Sequence, residues 1–281
     1  MGLFDRLFRR PGPAEGPVPE EPRPMPEPER PRDLRLTVAN IQGMGDRERQ
    51  EDSFAVLNAA DPDAMAQRGL FAVVCDGMGG MEDGREISQE AVDALVCLFR
   101  ELDDDGDIPR QFREGVHAVS DALYRRFAGR SGTTAAAVRV YQNALHWFSV
   151  GDSGLFLKRG GGVFQLNREQ TYLNDLYVRE LEQPVIRKER AERDPDAPRL
   201  TAFVGMDCLE EVDQSLLPLP LLPGDVILIC SDGISGVLTP AEMLEALSLP
   251  PGEGCALLET MVLERALPGQ DNYTGVVIAC Q

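Results

Sequence analysis

The chain has 281 residues, of which 43 % are hydrophobic, so one large domain or two small domains with a sizeable core can form. Its 47 acidic and 28 basic residues leave a net charge of −19, which argues against partners such as nucleic acid or anionic membranes. No stretch approaches the ~20 apolar residues of a membrane span, and the six scattered Cys contain no CxxC pair. We therefore expect a cytoplasmic protein with reduced, buried thiols and no transmembrane segment.

The first 32 residues differ in composition from the rest. MGLFDRLFRR places apolar residues at helical spacing beside arginines, which is compatible with a short amphipathic docking helix or with a disordered terminus. Residues 11–32 contain nine of the 21 prolines and no apolar period, as expected of an extended linker. We predict a disordered, Pro-rich tail over 1–32 that can dock a partner, and a folded domain over 33–281.

The first half of this domain alternates between strand and helix patterns. LRLTVANI, SFAVLNAA and GLFAVVC are typical of strands, and the first two flank an acidic loop. Apolar residues recur at helical spacing in 86–103 and again in 108–127. The acidic DDDGD segment between these helices lacks the full ligand spacing of a calcium loop, so we expect a solvated turn.

The second half contains a further batch of strands and then more helix. TTAAAVRVY, ALHWFSVGD, GLFLKRG and GVFQL predict successive strands, with a glycine hairpin before the last one. Residues 168–182 look helical, whereas the charged and Pro-rich residues 183–200 suit a mobile surface loop. VILIC and TGVVIAC predict buried strands, and 240–248 and 253–266 predict helices. This order favours an α+β fold in which sheets pack on each other with helices outside.

Short acidic motifs recur where the predicted strands end or begin. They are FAVVCDGMGG with Asp76, WFSVGDSG with Asp152, VILICSDG with Asp232, QDNYTGVVIAC with Asp271, and RERQEDSF with Glu51 and Asp52. Aspartate at a turn is common, so one such motif would mean little. Several of them, spread over the chain, indicate carboxylates gathered from distant strands around a hard divalent cation. Oxygen-only ligands favour Mg²⁺ or Mn²⁺ over Zn²⁺.

This set of residues suggests a chemistry. Asp76 could bind two ions with its side chain while the Gly77 carbonyl binds one, and Asp232 and Asp271 could supply further oxygens. Asp152 could serve an outer or third ion. Two such ions can lower the pKa of a bridging water and orient it for in-line attack on phosphorus, so no Ser or Cys nucleophile is required.

In these motifs the chain resembles the metal-dependent protein phosphatase family, also called protein phosphatase 2C. RERQEDSF is similar to the family's opening Arg-x-x-Asn-Glu-Asp element, and CDGMGGMEDG to its Asp-Gly-Met-Gly-Gly motif. SGTTAAAV, VGDSG, LICSDGISGVL and QDNYTGVVI resemble the later motifs, in the family's order and over roughly residues 36–280. The short architecture, without a large insertion, resembles that of bacterial members of the family.

The resemblance implies a β-sandwich of two antiparallel sheets flanked by helix pairs, a four-layer α-β-β-α fold. It implies hydrolysis of phosphoserine and phosphothreonine at a binuclear Mn²⁺ or Mg²⁺ centre, on phosphoproteins whose kinase the enzyme opposes. The implied roles are metal ligation by Asp76, Gly77, Asp232 and Asp271; a third, weaker ion at Asp152 with Asp232; metal-bound waters held by Glu51 and Asp52; phosphate binding by Arg47; and support of the site by Thr133 and Thr134.

Three positions depart from the family pattern. Met81 stands where many members have a His that protonates the leaving alcohol, Arg85 replaces the usual Glu, and Gly154 replaces the usual Arg. Glu82, Asp83 or a metal-bound water are the alternatives for the missing acid, and turnover of phosphoserine should be slow. The Met81 change also leaves open a catalytically weak or inactive pseudophosphatase that binds phosphoproteins. The basic cluster of the loop 183–200, formed by Arg187, Lys188, Arg190 and Arg193, is compatible with recruitment of a phosphorylated segment or with a merely solvated, charged loop.

Overall fold

The computed structural model describes residues 34–78 and 83–281. The strands of this part are β1 Leu36–Gly43, β2 Asp52–Leu57, β3 Leu70–Asp76, β4 Ala135–Tyr141, β5 Ala144–Val150, β6 Gly154–Arg159, β7 Gly162–Gln165, β8 Asp213–Gln214, β9 Leu219–Pro220, β10 Val226–Cys230 and β11 Tyr273–Cys280. Its helices are α1 Pro62–Arg68, α2 Gly84–Glu101, α3 Ile108–Phe127, α4 Tyr172–Leu181, α5 Lys188–Glu192, α6 Asp232–Ser235, α7 Pro240–Leu247 and α8 Pro251–Glu264. The predictions for the tail 1–32, Met81 and Glu82 lie outside the described residues.

Two antiparallel sheets form the centre of the fold. One has the order β1-β11-β10-β6-β7, and the other has the order β2-β3-β4-β5-β8, with β9 also paired to β5. Neighbours in sequence often pair, as β2 to β3 and β4 to β5 do, but β11 inserts between β1 and β10. The last strand of the chain therefore lies inside the first sheet, and all of its residues are buried.

The central strands β3, β10 and β11 bury both of their faces, which explains why their sequences are continuous apolar runs. In β3, Phe71, Val73 and Cys75 pack in the cluster that includes α2 and α3, while the alternate residues Ala72 and Val74 pack between the two sheets. Side chains of a strand point to opposite faces in alternation, so each strand contributes to two cores. Residues of β10 divide in the same way between the inter-sheet core and the cluster with α7 and α8. The predicted four-layer α-β-β-α arrangement is confirmed.

Local signals account for several helix starts. Asp107 precedes α3 and its side chain accepts a hydrogen bond from the Arg110 N–H at 3.0 Å. Thr239 and Glu242 form a capping box at the start of α7, which satisfies backbone donors that the first helical turn leaves free. The predicted helices 86–103 and 108–127 correspond to α2 and α3.

The segment 183–200 differs from its prediction as a mobile loop, because it contains the short helix α5. Lys188 is bonded to Glu192 within this helix at 2.9 Å, and Arg190 lies 3.7 Å from Glu180 of α4. The backbone N–H of Arg187 also donates to the Glu180 carboxylate at 3.2 Å. Acidic neighbours therefore neutralise part of the predicted basic cluster and attach the segment to α4.

The acidic turn between α2 and α3 also differs from its prediction as a merely solvated loop. Asp104 forms salt bridges with Arg139 of β4 and with Arg68 at the end of α1. The Arg139 side chain is only 2 % exposed, so Asp104 is the counter-ion of a buried guanidinium.

The described residues contain six free cysteines, four of which are buried; they are Cys75, Cys230, Cys255 and Cys280. Cys97 and Cys208 are exposed, so the prediction of buried thiols is right for most of the set and wrong for these two. No described helix combines the length and apolar character that crossing a membrane requires.

Candidate metal centre

The acidic motifs converge at one end of the two sheets. Asp52 begins β2 and Asp76 ends β3, and these residues are direct partners in the antiparallel pairing. Asp232 follows β10 and Asp271 precedes β11, and the pairing of these two strands places the end of one beside the start of the other. Asp152 follows β5 at the same end. The register of the strands therefore brings together carboxylates that lie far apart in the sequence.

Burial and mutual repulsion disfavour ionisation of these carboxylates. Burial raises the pKa of Asp76 well above its ordinary value, and the charges of Asp52, Asp232 and Asp152 raise it further. Burial also raises the pKa of Asp52 to about 6, against hydrogen bonds that favour the ionised form. Burial and then the charge of Asp232 raise the pKa of Asp152 to about 7. A cation bound among these groups would reverse the balance, because it favours every ionised carboxylate near it.

Two oxygens of the cluster stand out because they are buried and accept no hydrogen bond from any described residue. They are Oδ1 of Asp52 and Oδ1 of Asp232. A buried carboxylate oxygen without a donor is costly. Burial and the charge of Asp271 raise the pKa of Asp232, while a hydrogen bond from the Asp76 carboxyl lowers it.

The donor set fits a hydrated divalent ion. Among residues 34–78 and 83–281, no three Asp, Glu, His or Cys side chains already meet in the geometry of a formed metal site. Mg²⁺ keeps several of its waters in proteins and binds through one or two carboxylates, so it does not need such a cage. The buried, partnerless oxygens and the all-oxygen chemistry suit Mg²⁺ or Mn²⁺ held partly through water.

Gly77 follows Asp76 where three backbone segments meet. Its N–H donates to the Glu51 carbonyl at 3.2 Å. A Cβ on Gly77 would lie 2.2 Å from the Gly84 carbonyl oxygen and 2.8 Å from the Glu51 carbonyl oxygen. Only glycine fits this approach, and its absence of a side chain leaves the backbone beside Asp76 close to the cluster.

Two threonines hold the backbone of Asp76. The Thr134 hydroxyl accepts a hydrogen bond from the Asp76 N–H at 2.9 Å, and the Thr133 hydroxyl donates to the Asp76 carbonyl at 2.8 Å. Thr134 is in turn hydrogen-bonded to the Ser153 hydroxyl at 2.6 Å. The two hydroxyls thus fix the backbone of Asp76, which is the contact that the predicted supporting role of this threonine pair requires.

Arg47 and Asp271, for which different roles are predicted, bind each other. The Arg47 Nη2 lies 2.6 Å from Asp271 Oδ2, and both side chains are largely exposed at 47 % and 41 %. Asp271 Oδ1 accepts a hydrogen bond from the Asn272 N–H at 2.8 Å. Both oxygens of Asp271 are therefore engaged, whereas Asp52 and Asp232 each keep one buried oxygen without a hydrogen-bond partner.

Asn272 is an important residue that sequence reasoning missed. Its Nδ2 donates to the carbonyls of Met44 and Arg49, at 3.0 Å in each case. Its Oδ1 accepts from the Glu51 N–H at 2.8 Å. One buried amide thus fixes the loop that carries Arg47 against the start of β11. The signal available was its place directly after Asp271 in the QDNYTG motif.

Ser231 was missed as well, although it directly precedes Asp232. Its hydroxyl donates to Asp52 Oδ2 at 2.8 Å and accepts from the Thr274 N–H at 3.0 Å. It is fully buried. The hydroxyl therefore orients the Asp52 carboxylate so that the partnerless Oδ1 is the oxygen left for a cation.

Comparison with known proteins agrees with this geometry. The family profile of protein phosphatase 2C matches residues 48–255. The Mycobacterium tuberculosis serine/threonine protein phosphatase PstP is 29 % identical over 232 residues, which is 79 % of this chain but only 42 % of that protein's length. The crystal structure of the M. tuberculosis phosphatase PstP/Ppp superposes with a TM-score of 0.71 at 27 % identity, covering 88 % of this chain and 98 % of that one.

A second solved structure bears on the metal. The catalytic domain of PstP in complex with two manganese ions is 26 % identical, with a TM-score of 0.66 and coverage of 88 % of this chain and 99 % of that one. These relatives are named as phosphatases, so the comparison gives no support to the non-catalytic alternative.

Proposed function

Because this chain belongs to the protein phosphatase 2C family, we propose that it is a metal-dependent phosphatase that hydrolyses phosphoserine and phosphothreonine in proteins. The observation that carries the proposal is the buried carboxylate cluster, in which Asp52 and Asp232 each keep one partnerless oxygen. Burial disfavours the ionised form of these carboxylates, and a bound cation would offset this cost. A cation held there could in turn bind a phosphate group.

The proposed ligand set uses side chains and one carbonyl. Asp76 would bridge two Mn²⁺ or Mg²⁺ ions and the Gly77 carbonyl would bind one of them. Asp232 and Asp271 would complete the inner ligands, and Glu51 and Asp52 would act through waters. A third ion would be held by Asp152 with Asp232. When bound, such ions lower the pKa of a water and neutralise phosphate charge.

The chain's own residues have distinct tasks in this mechanism. Arg47 lies beside Asp271, and its planar guanidinium can bind two oxygens of the substrate phosphate at once. Asn272 holds the loop of Arg47 in place through the carbonyls of Met44 and Arg49. Ser231 orients Asp52. The protein thus supplies positions and charges, and no side chain needs to become a covalent nucleophile.

Substrates and cellular context follow from the family. We propose that the substrates are phosphorylated proteins of a pathway governed by an opposing Ser/Thr kinase in the cytoplasm, and that residues 1–32 dock a partner. With Met81 in the position of the usual His, we propose that the leaving alcohol is protonated by Asp83, Glu82 or water. Met81→His should then raise turnover of phosphopeptides more than that of an aryl phosphate, which needs little acid assistance.

The decisive experiment measures phosphate release from a phosphothreonine peptide with Mn²⁺, Mg²⁺ or EDTA. We expect activity with either ion, none in EDTA, and a loss of about 100-fold or more in Asp232→Asn. Asp121→Asn, an exposed aspartate of α3, is the matched control and should retain activity. A folded wild-type protein without metal-dependent activity would refute the proposal.

A further inference from the structure

A groove beside the metal centre is not used by the mechanism described above. It has a volume of about 640 Å³ and shares one wall, Glu51, with the carboxylate cluster. Its lining residues are Arg49, Glu51, Arg85, Glu86, Gln89 and Glu90. A peptide whose phosphoresidue lies at the metal centre would therefore pass its neighbouring residues along this groove.

The groove is held against the site by close backbone contacts. Arg49 is fixed through its carbonyl, which accepts from Asn272 Nδ2 at 3.0 Å. Gly84, directly before Arg85, packs so tightly that an added Cβ would lie 3.0 Å from Glu51 Oε1. Arg85 itself starts the first turn of α2, a long helix that packs on the sheet of β2 and β3. Arg85 therefore projects from the start of a helix, and the loop that carries Arg49 is held to the site by the Asn272 amide.

The charged side chains of the groove differ in whether they already have a hydrogen-bond or salt-bridge partner. Glu86 and Glu90 are both bonded to Arg126 of α3, with a distance of 3.2 Å between Arg126 Nη2 and Glu86 Oε1. Gln89 donates to Asp93 at 3.1 Å. Arg49 and Arg85, in contrast, are exposed, and neither forms a salt bridge with a described residue. Arg126 thus engages Glu86 and Glu90. The third acidic side chain, Glu51, lies close enough to Arg49 to feel its charge but forms no salt bridge with it, so both arginines keep donors available to a ligand.

We propose that Arg49 and Arg85 form a specificity subsite for an acidic or phosphorylated residue that flanks the scissile phosphoresidue. The inference rests on the proposed phosphatase activity and names the class of its substrate. Against a net charge of −19, a pair of unpaired arginines beside the active site gives an acidic segment a local point of attraction.

The test compares phosphothreonine peptides that carry Asp or Lys at each position from about three residues before to about three after the phosphoresidue. The readout is the ratio of kcat/KM for the Asp peptide to that for the Lys peptide, with Mn²⁺ present. We expect a ratio of about 3 to 10 at one or two positions for the wild type, as for exposed charge pairs acting together. High salt should reduce it because the groove is open to solvent.

Variants assign the preference to the subsite. Arg85→Glu should bring the ratio to one or below at the same positions, and Arg85→Lys should retain most of it. Arg113→Glu makes the same change of net charge at the far end of α3, about 20 Å along the helix from Arg126, and should leave the ratio unchanged. Arg49→Gln should reduce the ratio in part.

Each result is decisive. A wild-type ratio near one at all positions, or equal shifts in Arg85→Glu and Arg113→Glu, would overturn the subsite while metal-dependent hydrolysis of the peptides leaves the proposed function intact. A wild type that hydrolyses neither the peptides nor p-nitrophenyl phosphate with Mn²⁺ would remove the proposed function and this inference with it.

Discussion

Aspartates at equivalent strand ends acquire different properties from their surroundings. Asp52 is almost fully buried, whereas the Asp271 side chain is 41 % exposed and paired with Arg47. Burial removes water from the Asp52 carboxylate, and the Ser231 hydroxyl replaces part of that water. A cation would therefore compensate the buried carboxylates more than the exposed one, since the latter already has water and a guanidinium.

The raised pKa values predict how the metal-free protein responds to pH. The pKa of Asp152 is raised from 3.8 to about 7, chiefly by burial, so the folded state binds a proton that the unfolded state has released. Protonation of Asp152 in the folded state contributes fully to stability below pH about 4, and this contribution is lost as pH rises to about 7. In EDTA, Asp152→Asn should therefore be more stable than wild type at pH 8, by up to about 4 kcal/mol, and nearly equal to it at pH 4.

Urea unfolding at both pH values would check this prediction. If the difference between variant and wild type were the same at pH 4 and pH 8, the raised pKa of Asp152 would not be a property of the folded state.

A single methyl group should disturb the backbone beside the cluster. Gly77→Ala places a Cβ 2.2 Å from the Gly84 carbonyl oxygen, so the two segments must separate. We expect a loss of about 1–3 kcal/mol in the free energy of unfolding, measured in urea. Gly161→Ala is the matched control, because nothing lies within 4 Å of the added group, and it should be neutral. Equal stability of the two variants would contradict the close approach.

The elements show where strand and helix patterns suffice and where they do not. β3 and β10 are continuous apolar runs, and such runs are recognisable because both of their faces are buried. The short helix α6 and the strands β8 and β9 escaped prediction, since two to four residues carry no detectable period. Helix α5 was also missed, because its five residues are fixed by contacts with α4 rather than by an apolar face.

The junction of α2, α3 and β4 depends on one buried ion pair. Asp104→Asn would leave the Arg139 guanidinium, whose side chain is 2 % exposed, without its counter-ion. We expect a loss of about 2–4 kcal/mol in unfolding free energy, since breaking a buried pair leaves an uncompensated charge. Thermal or urea unfolding measures it.

The neighbouring Asp105→Asn, an exposed residue of the same turn, is the control and should be neutral. The double variant Asp104→Asn with Arg139→Met should recover much of the loss, because it removes the isolated charge. A neutral Asp104→Asn would show that Arg139 is compensated by the Arg68 carbonyl, which it also contacts at 3.3 Å.

For the molecule as a whole, metal binding should stabilise the fold. A metal ion held by residues of both sheets binds only the folded state. Mn²⁺ at about 100 times its Kd should therefore add about 2.7 kcal/mol to the free energy of unfolding. In a domain of this size the corresponding rise in Tm is about 5–10 °C. A thermal melt with Mn²⁺ and with EDTA measures the rise, and Asp232→Asn should reduce it. An unchanged Tm in the wild type would contradict a metal centre built from these residues.

The four-layer plan and the candidate ligands were accessible from the sequence because they depend on local properties. Apolar runs at strand spacing identify the buried strands, and aspartates beside them in a particular order match a family whose profile covers residues 48–255. The motif order also identified Thr133 and Thr134, whose hydroxyls do hold Asp76. These features are carried by neighbours along the chain, so no knowledge of distant contacts was needed.

Other features depend on residues that meet only after folding. The pairing of Arg47 with Asp271 joins positions 224 residues apart, and Asn272 bridges to the Glu51 N–H over 221 residues. Asp104 is the salt-bridge partner of the buried Arg139. Arg126 forms salt bridges with Glu86 and Glu90, so these glutamates do not pair with Arg49 or Arg85. Hydrogen bonds and charges act over a few ångströms in space without regard to sequence distance, so their partners follow from the packing of sheets and helices.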